Sequence, residues 1–155
     1  MKHLIILSAP PGSGKSTWAR AYIEEHPGTK IISSDEIRFE LTGQRKDFSK
    51  QKEVWKTFSE RIHEYALGHE DVTVILDALC DLNSLREAYV KDNPEYDKYT
   101  LVLFPHSIDR ITKWNKQRDE DRIVPDKAME ELIKKFEEPT PEVLALFDEV
   151  IEAKL

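Results

Sequence analysis

The chain has 155 residues, 39% of them hydrophobic and 34% charged, which describes one ordinary folded domain that can bury a core without disulfides. A formal net charge of −7 speaks against a protein that coats long nucleic acid through lysine and arginine, yet leaves room for a compact basic pocket that grips one strand end. The single cysteine, Cys80, rules out an internal disulfide and suits a reducing cytoplasm. Apolar runs such as Leu4 to Leu7 are too short for a membrane span, and the opening Met1-Lys2-His3 is too briefly followed by apolar residues to read as a signal peptide.

Short apolar, β-rich runs alternate with amphipathic helical patterns along the chain, which predicts an α/β fold with a parallel sheet. Lys2 to Ser8 is the first strand, with the clean apolar run Leu4 to Leu7 that a buried parallel strand should have. The following helix carries Trp18, Ala19, Tyr22 and Ile23 on one face and stops at His26-Pro27-Gly28. Ile31-Ile32 is a short second strand, and Ser33 with Glu36 has the spacing of a capping box for the next helix. A longer helix is expected from Ser49 to Leu67, with Val54, Trp55, Phe58, Ile62, Tyr65 and Ala66 on one stripe and Gly68 at its end.

Val72 to Leu76 is a third strand that terminates in Asp77. Leu82 to Val90 reads as helix, closed by Asn93-Pro94, and Tyr99 to Phe104 as a fourth strand stopped by Pro105. Ser107 is placed to cap a helix carrying Ile108, Ile111 and Trp114. After a charged stretch from Lys116 to Arg122, Pro125 suits the first turn of a helix bearing Ala128, Met129, Leu132, Ile133 and Phe136. Pro139-Thr140-Pro141 breaks that helix, and Phe147 to Ile151 is a fifth strand. The expectation is a single domain over residues 1–155, a five-stranded parallel sheet sandwiched by helices with a helical lid near 116–125, leaving no room after the last strand for a fused one. Trp18, Trp55 and Trp114 all fall on apolar stripes and read as core.

The segment Ala9-Pro10-Pro11-Gly12-Ser13-Gly14-Lys15-Ser16-Thr17, between a strand and a helix, has the build of a phosphate-binding loop. Small residues let consecutive backbone N–H groups wrap a phosphate chain, and the helix directs its positive end at the anion. Pro10 and Pro11 have no N–H, so the donors must come from Gly12 onward, through Ser13, Gly14, Lys15, Ser16 and Thr17. Lys15 is placed for the β- and γ-phosphates of a nucleotide and Ser16 for magnesium. Ala9 stands where the first glycine of the pattern belongs, which costs little if its φ stays negative. A GTP switch would need Asn-Lys-x-Asp, and Asn115-Lys116-Gln117-Arg118 ends in the wrong charge. Motor ATPases need an additional domain for which 155 residues leave no room, so the kinase branch remains.

Pro11 to Arg20, Ser33 to Arg38, Val74 to Ala78 and Asn115 to Pro125, in that order, resemble the kinase domain of phage-type polynucleotide 5′-hydroxyl kinases and the small P-loop kinases related to it. The resemblance implies ATP and Mg2+, Asp35 as the base that takes a proton from the attacking hydroxyl, and Arg38 as a clamp on an acceptor phosphate. A first-turn acid with a surface i,i+3 partner is the plainer account of that pair. Asp77 ends its strand as a magnesium-associated acid does, and serves either the metal or the acceptor, or is a turn acid. Relatives usually continue it as Asp-Ala-Thr-Asn; here the run is Asp77-Ala78-Leu79-Cys80, two polar contacts fewer near the acceptor. Arg118 and Arg122, four apart, share one face if helical, where they would close over the phosphates or simply belong to a salt-bridged surface helix. Their place before Val124-Pro125 matches the family lid.

Between Gln44 and Lys56 stand Arg45, Lys46, Lys50, Lys52 and Lys56 against Asp47 and Glu53, with Phe48 and Trp55 interleaved. That stretch is either a solvated helix face with Trp55 turned inward or an acceptor-side landing patch. The expected activity is ATP-dependent transfer of the γ-phosphate to a hydroxyl, first the 5′-hydroxyl of a polynucleotide or nucleotide. The alternatives are a small-metabolite hydroxyl and, from another class, a nucleotide-binding regulatory module with weak ATPase activity.

Overall fold

In a computed structural model, which describes residues 1–105 and 108–154, five strands form one all-parallel sheet in the order β2-β3-β1-β4-β5. The strands are β1 (Lys2–Ser8), β2 (Lys30–Ser33), β3 (Val72–Asp77), β4 (Lys98–Leu103) and β5 (Glu149–Glu152). The helices are α1 (Lys15–Glu25), α2 (Ser34–Thr42), α3 (Gln51–Leu67), α4 (Asn83–Lys91), α5 (Ile108–Lys116), α6 (Asp126–Lys135) and α7 (Pro141–Leu144). The expected cap at Ser107 lies outside the described residues. No helix among the described residues is long and apolar enough to cross a membrane.

β1 is continuously apolar from Leu4 to Leu7 because side chains there alternate between two buried faces. Leu4 and Ile6 join the larger core, with Val74 and Leu76 of β3, Ile37 of α2 and Val54, Phe58 and Ile62 of α3. Ile5 and Leu7 point the other way, onto Ala19 of α1, Ile75, Val102 and Phe104. Trp18 packs on that second side, with its ring 5.2 Å from Tyr22 and edge-on to Phe104. The central strand thus fixes the carboxyl edge of the sheet, where the loops after β1, β2 and β3 open side by side.

Several boundaries differ from the sequence pattern for local reasons. Ser33 accepts a bond from the Glu36 N–H at 3.4 Å, but the reciprocal half of the capping box is missing because the Glu36 carboxylate is held by Arg45. α3 begins at Gln51 rather than Ser49, since Asp47 accepts the Ser49 N–H and holds that segment in a turn. The Pro139-Thr140-Pro141 break opens a short further helix, α7, whose first turn is capped by the Thr140 hydroxyl on the Val143 N–H. β5 starts at Glu149, after Asp148 has capped the start of β4 by accepting the Tyr99 N–H.

Phe58 is fully buried between α3, α2 and the sheet. Phe58→Ala should lower unfolding free energy by about 3–5 kcal/mol, the range for truncating a buried aromatic, as read from urea denaturation followed by circular dichroism. A loss below about 1 kcal/mol would mean the helix is not seated on the sheet as described.

Candidate active site

A cleft of about 1190 Å³ lies across the carboxyl edge of the sheet. It exceeds the roughly 300–1,000 Å³ of a pocket for one drug-sized ligand. Its floor is the loop between β1 and α1. Gly12 and Gly14 take φ of +76° and +95°, conformations open to glycine at little cost. At Gly12 there is a second constraint: a Cβ would lie 3.0 Å from the Ile111 carbonyl oxygen and 3.3 Å from the Asn115 nitrogen, so the loop rests directly on the α5 backbone. Ala9 is fully buried in the core without a positive φ, which is why alanine serves where the pattern has glycine.

The Lys15 ammonium folds back to donate to the Ala9 carbonyl at 2.8 Å. Burial pushes its pKa down, opposed by the charges of Asp77 and Asp35. Asp77, at the end of β3, accepts from the Ser16 hydroxyl at 3.3 Å; burial pushes its carboxyl up, opposed mainly by Lys15. Ser16 Oγ also lies 3.4 Å from the Arg122 guanidinium. Among the described residues no cluster of three or more His, Cys, Asp or Glu side chains could hold a metal. A magnesium ion here would rest on one hydroxyl and one carboxylate and keep its other positions for water and phosphate oxygens, as that ion commonly does.

Asp35, in the first turn of α2, faces this floor. One carboxylate oxygen takes Arg38 NH1 at 2.8 Å, and the other lies 3.8 Å from Arg118 and 3.9 Å from Arg122. Arg38 is itself buried, donating also to Gln51 Oε1 at 2.9 Å and to the Arg45 carbonyl at 3.2 Å, with its guanidinium 4.5 Å above the Phe48 ring. Asp35 and Arg38 are therefore an inward pair, not a surface one.

The lid is not the helix that would put Arg118 and Arg122 on one face. α5 ends at Lys116, Arg118 stands on a bend, and Arg122 closes a 3-10 turn over Glu120–Arg122, so the two arginines do not share a helix face. The cause is Asn115. Its buried side chain donates to the Val124 carbonyl at 2.6 Å and accepts the Val124 N–H at 2.9 Å, clasping residues 116–123 into a closed loop. That loop still delivers both guanidiniums to Asp35. Arg118 NH1, Arg122 Nε and the Ser13 hydroxyl are buried without a hydrogen-bond partner, and burial next to Arg122 pushes the Arg118 pKa down. Buried donors and like charges gathered in one cleft are what a phosphate chain would satisfy.

Sequence patterns missed several participants. Gln51 and the Asn115 clasp act through contacts between distant segments and leave no local signature, and Arg45 stands out in the sequence only as one charge of a basic stretch, with nothing to mark its lid partner Asp121. Trp55 and Trp114 line the cleft rather than fill the core; Trp55 is 38% exposed, because Val54, Phe58 and Ile62 already carry the buried stripe of α3.

A phosphate-type loop at the carboxyl edge of a β2-β3-β1-β4-β5 sheet, with Ser16 and Asp77 behind it, defines a P-loop protein of the kinase-like fold. The chain belongs to the family described as AAA domain, whose model matches residues 4–139. Over 87 residues it is 41% identical to the 2′,3′-cyclic-nucleotide 3′-phosphodiesterase of Mus musculus, a match taking in 56% of this chain and 19% of that protein. The chain spans about a fifth of the length of the curated relatives it matches. Among solved structures, the Pnkp1/Rnl/Hen1 RNA repair complex contains a chain that superposes with a TM-score of 0.74 at 23% identity, over 95% of this chain and 46% of that one. Shikimate kinase from Acinetobacter baumannii gives a TM-score of 0.60 at 18% identity, over 100% and 85%. At those identities the two structures share the fold with this chain. The resemblance to polynucleotide-kinase-like P-loop proteins is borne out.

Gly12→Ala should weaken binding of a nucleoside triphosphate by roughly tenfold or more, from a strained left-handed backbone and the collision with α5. Calorimetric titration would show it; wild-type affinity in the variant would separate the loop from the ligand.

Proposed function

We propose that this chain is a magnesium-dependent phosphotransferase that passes the γ-phosphoryl group of ATP to a hydroxyl, most specifically the 5′-hydroxyl of a nucleic acid end or nucleotide. One observation carries the reading. Asp35 is an acceptor-side carboxylate held between a buried arginine from its own helix and two arginines from the lid, beside a phosphate-type loop. A chain that only bound a nucleotide would have no use for a base at that point.

In this reading Gly12 to Thr17 and Lys15 hold the phosphate chain, with Lys15 exchanging its Ala9 carbonyl for phosphate oxygens. Ser16 and Asp77 would hold magnesium, which would neutralise charge on those oxygens. Arg118 and Arg122 leave Asp35 for the phosphates and stabilise charge as it develops on the transferred group. Asp35 then takes the hydroxyl proton while the acceptor oxygen bonds to phosphorus and the bridging oxygen departs with ADP. Arg38, steadied by Gln51 and Phe48, clamps an acceptor phosphate.

Support for a nucleic acid acceptor comes from Lys46, Phe48 and Trp55 along the rim of the cleft, and from relatives named for RNA repair and for cyclic nucleotides. A small-metabolite acceptor is favoured by a different feature: Leu79, in place of a polar residue, makes that wall apolar. Shikimate kinase, named for a small-metabolite acceptor, has the same fold, which supports this second reading.

Asp35→Asn should cut single-turnover transfer to a 5′-hydroxyl oligonucleotide by about a hundredfold or more while sparing ATP binding. Collapse of ATP binding instead would make Asp35 a structural or metal residue. Arg38→Ala should raise the KM of a nucleoside 3′-phosphate more than that of the bare nucleoside, and equal losses on both would remove the clamp role.

A further inference from the structure

Arg45 crosses the cleft. It lies between α2 and α3, outside the catalytic constellation, yet its guanidinium is held by two separate elements. Nε and NH2 donate to the two Glu36 oxygens of α2 at 3.0 and 3.2 Å, while NH1 donates to Asp121 Oδ2 of the lid at 2.6 Å. The group lies 4.6 Å above the Phe39 ring, which fixes its plane. Beside it, Lys46 Nζ donates to the lid carbonyl of Glu120 at 3.4 Å. The Arg45 backbone carbonyl accepts from Arg38 NH1. One residue therefore touches the proposed acceptor clamp with its main chain and the lid with its side chain.

The lid turn carries two like charges, Arg118 and Arg122, both aimed inward at Asp35. That inner tether cannot persist during the proposed reaction, because the arginines must turn to the phosphates and Asp35 to the acceptor. Asp121, between them in sequence, points the opposite way, to Arg45. The outer tether uses none of the reacting groups and can hold throughout.

We infer that Arg45 is a positioning residue: with Asp121 it latches the lid to the acceptor side, so that Arg118 and Arg122 stay over the phosphates after releasing Asp35. Its kinetic consequence rests on the phosphotransfer reading, whereas the latch itself does not. Lysine is a poor replacement, since one ammonium cannot reproduce the planar fork that spans two carboxylates. The Arg38 bond to the residue 45 carbonyl survives any side-chain change, which separates the latch from the acceptor clamp.

The experiment compares wild type, Arg45→Met, Arg45→Lys, Asp121→Asn and the Arg45→Met/Asp121→Asn double variant by limited trypsin digestion, with mass spectrometry of cleavage after Lys116, Arg118 and Arg122. Nicking should rise roughly fivefold or more in Arg45→Met as the open lid becomes more populated, and by less in Arg45→Lys. The double variant should be no worse than the more affected single, because both remove one interaction. Melting temperatures should stay near wild type, since an exposed ion pair adds little to global stability. In the transfer assay, Arg45→Met should lose about tenfold in kcat with ATP KM changed less than about twofold. Wild-type nicking in Arg45→Met, or additive effects in the double variant, would overturn the latch. Increased nicking with no transfer activity in any form, wild type included, would uphold the latch and overturn the phosphotransfer reading.

Discussion

Four cationic side chains and two carboxylates share one partly buried cleft, and the rest of the architecture serves to bring them there. Lys15, Arg38 and the lid pair Arg118 and Arg122 come from three different segments, while Asp35 and Asp77 follow or end two adjacent strands. Gathering like charges out of water is unfavourable unless an anion joins them. Here the two carboxylates are shared too thinly to do it: Asp35 alone faces three guanidiniums, and donors on Arg118, Arg122 and Ser13 go unused. A multiply charged anion in the cleft would satisfy them. This is the physical content of the P-loop fold in this chain, and it is what the proposed phosphotransfer exploits.

Behind the cleft, a second polar cluster holds the wall in place. Arg86 of α4 is fully buried, donates to Ser8 Oγ at the end of β1 and to Asn83, and lies 5.1 Å from the Phe136 ring at the end of α6. Ser8 in turn donates to the Cys80 carbonyl at 2.8 Å. Cys80 takes a φ of 44°, unusual for a side-chain-bearing residue, and this network holds it. Burial pushes its thiol up to about 12, so it is a packing residue rather than a nucleophile. The replacement of a polar pair by Leu79-Cys80 thus puts Leu79 on the cleft wall and Cys80 into the fold.

The parts of the site that depend on local chemistry were legible in the sequence. Gly12 to Thr17 are constrained by turn geometry and by the need for backbone donors, and that need is written in consecutive residues. Asp77 was marked by the end of an apolar run, and the five strands by theirs. Asp35 and Arg38 were reached through a family pattern, since an acid and an arginine three apart on a helix occur on many surfaces. Long-range pairing stayed invisible. Nothing near Asn115 announces its clasp on Val124, nothing near Arg45 announces Asp121, and the lid arginines arrive at Asp35 by a bend that helical spacing does not describe. Trp55 shows the same limit: periodicity puts it on the buried stripe and reads it as core, whereas packing opens it on the cleft.

The account stands on the cleft recognising a phosphate chain, and titration calorimetry tests that most directly. Adenosine mono-, di- and non-hydrolysable triphosphate, each with magnesium, would be titrated into the protein at low and at raised salt. Affinity should climb steeply with each added phosphate and weaken as salt screens the charges. The Lys15→Ala variant should lose the gain from the second and third phosphates. Equal affinity for all three nucleotides, or a triphosphate advantage that survives without Lys15, would contradict it.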